Sequence, residues 1–235
     1  MRRVYERDLV EIVADYFRRK GYAVVTEVFE GIGRADLVAL KLNPHEVRQR
    51  IDHGIIKLPV KKVLKILNIL EKHNEGVELK KIAADFTVSD GYIRRIVSEI
   101  NPLFVKKERK GNKVIVKKLR SYRPVADEVI SIELKLANWR SGLIQAHMYL
   151  LSSHKTYLAI YSRNIRYIPP EVIEWTSKKG IGILSVSKTH GVREVIPAKN
   201  AGPKSKTSYY LLTEEAWSAL VRRGNQFSQN IQPSF

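Results

Sequence analysis

Residues 128–136 read Glu-Val-Ile-Ser-Ile-Glu-Leu-Lys-Leu, and their alternation decides how the chain is understood. Side chains two apart on a strand share a face. Ile132, Leu134 and Leu136 therefore fill one face, and Glu133 and Lys135 stand on the other, about 7 Å apart. An acid beside a lysine in an apolar strand is either a buried ion pair or a working site. Burying an ion pair seldom repays its desolvation, which gives weight to function. A solvated face on an edge strand would read the same way.

Beyond this strand, residues 139–153 carry helical periodicity, 156–161 (TYLAIY) read as a strand, and Pro169-Pro170 opens a helix to Lys179. GIGILSVS (180–187) and VREVI (192–196) read as further strands. Strands alternating with helices predict an α/β layer with parallel or mixed strands. Residues 198–208 read as a polar linker, followed by a short helix over 213–223 and a Gln/Asn/Ser tail.

Toward the N-terminus, residues 5–20 form an amphipathic helix closed by Gly21. Leu9, Ile12, Val13, Tyr16 and Phe17 make its apolar stripe, and Glu6 falls inside that stripe. A carboxylate there is costly unless paired, although acids also suit a helix's first turn. Residues 22–29 and 35–42 predict a hairpin turning at Gly31-Ile32-Gly33, with Asp36 near the start of its second strand. Gly31-x-Gly33 is no dinucleotide fingerprint, because the third glycine is missing and a strand follows instead of a helix.

The texture changes from residue 44. Residues 45–58 give no clear pattern. Residues 60–73 carry an apolar face of Val63, Leu64, Ile66, Leu67 and Leu70, and a second short helix covers 78–85. Thr87-Val88-Ser89 is a tight turn, with Ser89 placed to cap a third helix over 90–100. Two β-rich stretches, 103–107 and 113–118, flank Lys110-Gly111-Asn112. Helix, helix, turn, helix and basic hairpin is the layout of a winged helix-turn-helix.

Charge points the same way. The 235 residues carry 42 Lys or Arg against 24 Asp or Glu, a net of +18, so a polyanion is the first partner to consider. Residues 59–120 hold 16 Lys or Arg and 7 Asp or Glu, a net of +9, half the excess in about a quarter of the chain. Tyr92, Arg94 and Arg95 on the third helix are placed to meet DNA, at guanine edges or phosphates. Lys106, Lys107, Arg109, Lys110 and Lys113 suit a wing along the backbone or minor groove. A protein-binding module with a solvated basic face is the other reading.

There is no cysteine, which excludes disulfides, thiolate metal sites and cysteine nucleophiles. The six histidines lack the paired spacing of a zinc helix, leaving Mg²⁺ or Mn²⁺ on carboxylates. No apolar run approaches the roughly 18–20 residues of a membrane span. Met1-Arg2-Arg3 leads into a charged segment without the apolar core of a signal peptide, so a cytoplasmic protein without a membrane partner is expected. Two Met, no Cys and many Lys, Arg and Glu fit a heat-adapted organism.

A helix bearing Glu6, a hairpin bearing Asp36, and a strand bearing Glu133-x-Lys135 followed by a helix resemble the core of the PD-(D/E)xK nuclease superfamily. Glu6-Arg7-Asp8-Leu9-Val10, Gly21-Tyr22-Ala23-Val24-Val25 and Ala35-Asp36-Leu37-Val38-Ala39 look closest to archaeal Holliday-junction resolvases and restriction-endonuclease-like relatives. Gln145 and Tyr149 resemble the glutamine-and-tyrosine motif of some branches; an exposed polar helix face would also place them so. The resemblance covers residues 1–42 and 128–196. Two departures stand out: Ala35 replaces the usual proline, and Asp36 lies 97 positions before Glu133, where a short hairpin is normal.

The resemblance implies a restriction endonuclease-like mixed β-sheet core flanked by helices, split into residues 1–43 and 126–198. The winged helix would be inserted as residues 44–125, and 199–235 would form a linker, helix and tail. It further implies a metal-dependent DNA endonuclease. Asp36 and Glu133 would hold Mg²⁺ or Mn²⁺, with Glu6 adding a ligand directly or through water. Lys135 would orient or help deprotonate the attacking water or stabilise charge, and Gln145 would position the water or a phosphate. The partner would be duplex or branched DNA, and cutting both strands would call for a homodimer. The alternative function is a non-catalytic DNA-binding regulator or architectural protein that uses a degenerate nuclease fold as scaffold.

Overall fold

The computed structural model describes residues 4–29 and 33–223; the expected hairpin tip at Gly31-Ile32, the Met1–Arg3 start and the tail after 223 lie outside them. The chain divides into two compact units, residues 1–43 with 125–235, and residues 44–124.

The larger unit begins with α1 (Arg7–Arg19), which buries Leu9, Val13, Ala14 and Phe17 along one stripe. Gly21 ends it in the left-handed region at φ +79°. There its N–H donates to Arg18 O and the Tyr22 N–H to Phe17 O, a glycine-terminated stop that satisfies the last carbonyls. β1 (Ala23–Phe29) and β2 (Arg34–Leu42) then pair antiparallel.

The smaller unit follows, with α2 (Pro44–Asp52), α3 (Val60–Glu71), β3 (Val77–Glu78), α4 (Leu79–Phe86), α5 (Asp90–Ile100), β4 (Val105–Lys110) and β5 (Lys113–Lys118). Its three strands form an antiparallel sheet in the order β3-β5-β4. Thr87 turns the chain at φ +53°, and the Ser89 hydroxyl accepts from Tyr92 N at 3.3 Å to cap α5. Two elements had no counterpart in the sequence reading. β3 is only two residues long. α2 buries Glu46 and Arg50 instead of an apolar stripe, which is why its periodicity gives no helical signal. Glu46 is held by two hydrogen bonds from Arg120, at 2.5 and 3.0 Å.

The chain returns to the larger unit with β6 (Ala126–Lys135), α6 (Trp139–Tyr149), β7 (Lys155–Tyr161), a 3-10 turn at Ile165–Tyr167, α7 (Pro170–Lys178), β8 (Gly182–Ser187), β9 (Gly191–Ile196) and α8 (Lys206–Arg223). The fold is α/β. Six strands in the order β1-β2-β6-β7-β8-β9 make a mixed sheet, parallel from β6 to β8 and antiparallel outside, flanked by helices. One face, with Leu37, Ala39, Ile132, Leu134 and Leu184, packs on Leu9, Val13 and Phe17 of α1. On the other, Leu158, Ile160 and Ile183 pack against Trp139, Leu143 and Ala146 of α6. α8 starts seven residues earlier than expected and buries Tyr209, Tyr210, Leu212 and Thr213. Its start lies in a polar run because Ser205 accepts from Ser208 N through its hydroxyl at 3.2 Å. No described helix is long and apolar enough to cross a membrane.

Candidate active site

The β2–β6 register brings residues 97 positions apart to one place. Leu37 pairs with Ile132, so Asp36 and Glu133 come next to each other on the sheet face covered by α6. The Asp36 Oδ2 accepts from Leu134 N at 2.7 Å, which fixes the carboxylate against β6. Glu133 is 1% exposed. Its Oε1 meets Lys135 Nζ at 2.6 Å. Its Oε2 lies 2.8 Å from the Tyr149 hydroxyl, which also stands 3.0 Å from Arg34 O, so one hydroxyl proton serves two acceptors.

Glu6, just before α1, accepts from Leu136 N at 3.1 Å across the end of β6. The Leu136 carbonyl accepts from Asn164 Nδ2 at 2.6 Å. The strand end that follows Lys135 is therefore clamped on both backbone groups. Lys188 Nζ on Asp8 Oδ2 at 2.8 Å, with Asp8 accepting from Tyr5 N, steadies the helix start that carries Glu6.

The electrostatics follow from burial. Burial pushes the Asp36 carboxyl above its ordinary value; the Leu134 N–H and Lys135 oppose this, and the charges of Glu6 and Glu27 add to it. Glu133 is raised in the same sense, by burial and by Asp36, against the pull of Lys135 and Tyr149. Burial alone would lower Lys135, but the hydrogen bond to Glu133 and the charges of Glu133, Asp36 and Glu6 outweigh it and hold the ammonium above its usual range. Lys135 is therefore held as a cation by the carboxylates around it, and suited to stabilising negative charge.

Whether these residues suit a divalent cation can be judged from the donor set. Two carboxylates side by side, both disfavoured as anions by burial, are relieved by a hard cation, and every donor is oxygen. Among the described residues no three of His, Asp or Glu come together at metal-binding spacing. Mg²⁺ takes one or two protein carboxylates and completes its shell with water and substrate phosphate. The residues fit.

Of the expected site residues, Glu6, Asp36, Glu133 and Lys135 meet at this sheet end. Gln145 is half-buried on α6, one turn before Tyr149, and has no hydrogen-bond partner among the described residues. The sequence reading paired Tyr149 with Gln145 but gave it no role; its spacing from Gln145 is the signal. It missed Gly142, where a Cβ would come within 2.9 Å of Lys135 Cγ and 2.6 Å of Leu158 Cδ1. It also missed Glu27, which sits opposite Asp36 in β1 with φ +58°, a strained position for a residue with a Cβ.

In the smaller unit, Arg94 and Arg95 are exposed on α5, and Tyr92 is half-buried beneath two cations. Lys62 Nζ lies 4.5 Å and Arg95 Cζ 5.5 Å from its ring centroid. The hairpin basics Lys106, Lys107, Arg109, Lys110 and Lys113 are all exposed. Lys106 pairs with Glu108 at 3.3 Å, Lys113 with Glu78 at 3.4 Å, and Lys107 donates to Ser98 at 3.1 Å. Arg109 donates to the turn carbonyl of Gly111.

No protein-family model matches the chain, and no curated protein does. A protein of unknown function from Silicibacter pomeroyi is similar in structure at 12% identity and a TM-score of 0.45, over 97% of this chain and 94% of that one. That likeness assigns neither fold nor function.

Proposed function

We propose that the larger unit is a metal-dependent DNA endonuclease core of the PD-(D/E)xK kind, and that the smaller unit is an inserted winged helix that binds the DNA. The observation that carries the reading is the meeting of Asp36, Glu133 and Lys135 on one sheet face, from strands separated by an entire second unit. Hydrolysing a phosphodiester requires an activated water and donors aimed at charge developing on phosphorus. One Mg²⁺ or Mn²⁺ held by Asp36 and Glu133 would neutralise phosphate charge and make the attacking water more acidic.

The chain's own residues divide the rest. Lys135 would orient or help deprotonate the attacking water, or stabilise the negative oxygens of the transition state. Tyr149, with Lys135, holds the Glu133 carboxylate in place through its two oxygens. Glu6 anchors the strand end and would add a ligand directly or through water. Gln145, with its amide free among the described residues, is available to hold a phosphate or the attacking water. The helix-turn-helix order of the smaller unit, its three-stranded antiparallel sheet and its exposed α5 arginines support DNA as the partner. The test is cleavage of labelled DNA with Mg²⁺, beside Asp36→Ala and Lys135→Ala. Both changes should abolish cutting and leave DNA affinity nearly intact. Binding without cutting on every substrate would favour a non-catalytic DNA-binding protein on the same fold.

A further inference from the structure

A second feature lies on the same sheet face, outside the carboxylate site. The register runs Lys135 to Ile160, Ile160 to Ser185, and Ser185 to Arg193, so these four residues form one row across β6, β7, β8 and β9. At about 4.8 Å per strand, Arg193 stands about 14 Å from Lys135 along that row. A cavity of about 330 Å³ opens there, lined by Ser162, Ser185, Ser187, His190 and Arg193 above Ile165.

The lining is built for an anion. It holds an arginine, an imidazole and three hydroxyls, and no carboxylate. Arg193 is exposed, and its guanidinium has no partner among the described residues. Ser185 is 7% exposed at the cavity floor, and its hydroxyl likewise has none among them. Ser187 accepts from the N–H groups of Thr189 and His190 at 3.3 and 3.4 Å, which fixes the β8–β9 turn that carries His190 in the cavity lining. The pocket also lies beyond the carboxyl ends of the parallel strands β7 and β8, where open α/β sheets take their ligands. Another cavity of this unit is mainly apolar, lined by Trp139, Leu143, Ile144 and Trp175 with Arg140 and Glu171 beside them, and nothing indicates what covers it.

We propose that this pocket is a phosphodiester-binding subsite, seating the backbone of the strand whose cleavage is proposed above. It rests on the nuclease reading for its choice of ligand. Arg193 supplies the fork of donors that fits a phosphate, and Ser185 and Ser162 supply neutral donors beneath it. The subsite holds the strand in register while Asp36, Glu133 and Lys135 act on the bond.

The experiment uses the full chain in EDTA, so that no cleavage enters. With ¹⁵N-labelled arginine, the Arg193 Nε–H signal, assigned by its loss in Arg193→Lys, should shift saturably with inorganic phosphate, while the signal of Arg18, which pairs with Glu11 and Asp15 on α1, moves little. Duplex DNA affinity is then measured across a salt series. Arg193→Ala should weaken binding threefold to tenfold and lower the salt slope by close to one, with Arg193→Lys in between. Ser185→Val should weaken binding at unchanged salt slope, with thermal unfolding checking that it folds. A flat phosphate titration with an unchanged slope overturns the subsite. A phosphate shift with an unchanged slope overturns its assignment to DNA. Absence of metal-dependent cleavage would sink the nuclease reading alone and leave these binding results standing.

Discussion

Asp36→Asn should stabilise the larger unit while abolishing cleavage. The amide oxygen can still accept from Leu134 N, now at 2.7 Å, so the substitution changes charge and little else. What it loses is attraction to Lys135; what it removes is a half-buried anion in the field of Glu6 and Glu27 and next to Glu133. Because the Asp36 pKa is raised, the second group outweighs the first, and the charged form is a net cost to the fold. Single substitutions that relieve such a site commonly add about 0.5–2 kcal/mol. About 1 kcal/mol moves the melting temperature up by about 2–4 °C in a domain of this size. The sign follows from proton linkage. Between the ordinary Asp value of 3.8 and the raised folded value, the folded wild type binds more protons than the unfolded chain. Its stability relative to Asp36→Asn therefore falls as pH rises through that window, and the gap stays open above it. Below pH 3.8 the gap closes. Added Mg²⁺ should reverse the order, since a ligand at a hundredfold excess over its Kd stabilises by about 2.7 kcal/mol and only the wild type would take it. The assay is thermal unfolding at pH 7 and pH 3.5, with EDTA and with Mg²⁺. A lower melting temperature for Asp36→Asn at pH 7 in EDTA would refute the reasoning, because the charge would then be well compensated.

Four further outcomes are expected. Lys135→Met should cut the cleavage rate at least a hundredfold, and wild-type cleavage should show no pH step from Lys135 between pH 6 and 8, checked by single-turnover kinetics. Tyr149→Phe removes a hydrogen bond to a charged group; it should cost about 1.5–3 kcal/mol of stability and push Glu133 further up, seen by chemical unfolding and by a shifted acid limb of activity. Gly142→Ala drives a Cβ into Leu158 and Lys135, and should cost about 1–3 kcal/mol in denaturant melts and slow cleavage through a displaced Lys135. Arg94→Ala with Arg95→Ala should weaken duplex binding and flatten its salt dependence by up to about two units, leaving the unfolding of the larger unit unchanged.

How far the sequence reached depended on whether a signal was local. Period-two alternation in β6 placed Glu133 and Lys135 on one face; Glu6, which the helical period puts inside the apolar stripe of α1, is instead exposed ahead of the helix, where it accepts from Leu136 N. The juxtaposition of Asp36 with Glu133 rested on resemblance, because strand pairing across 97 positions leaves no local trace. α2 was invisible because it buries Glu46, paired with a half-buried Arg120, and Arg50 in place of an apolar stripe. The early start of α8 was hidden by polar residues that act as caps. Gly142 reads as a weak spot in a helix, and only the approach of Lys135 gives it a reason. The left-handed backbone of Glu27 sits in a stretch that reads as ordinary strand. The Arg193 pocket gathers residues from three separate elements, and no motif announces it.

The most direct test is cleavage of labelled linear, nicked and four-way-junction DNA with Mg²⁺ or Mn²⁺, run beside Asp36→Ala. The account predicts metal-dependent cutting that disappears in the variant while DNA binding persists, with the preferred substrate naming the biological target. Binding without cutting on every substrate and metal, or cutting that survives in Asp36→Ala, would contradict it.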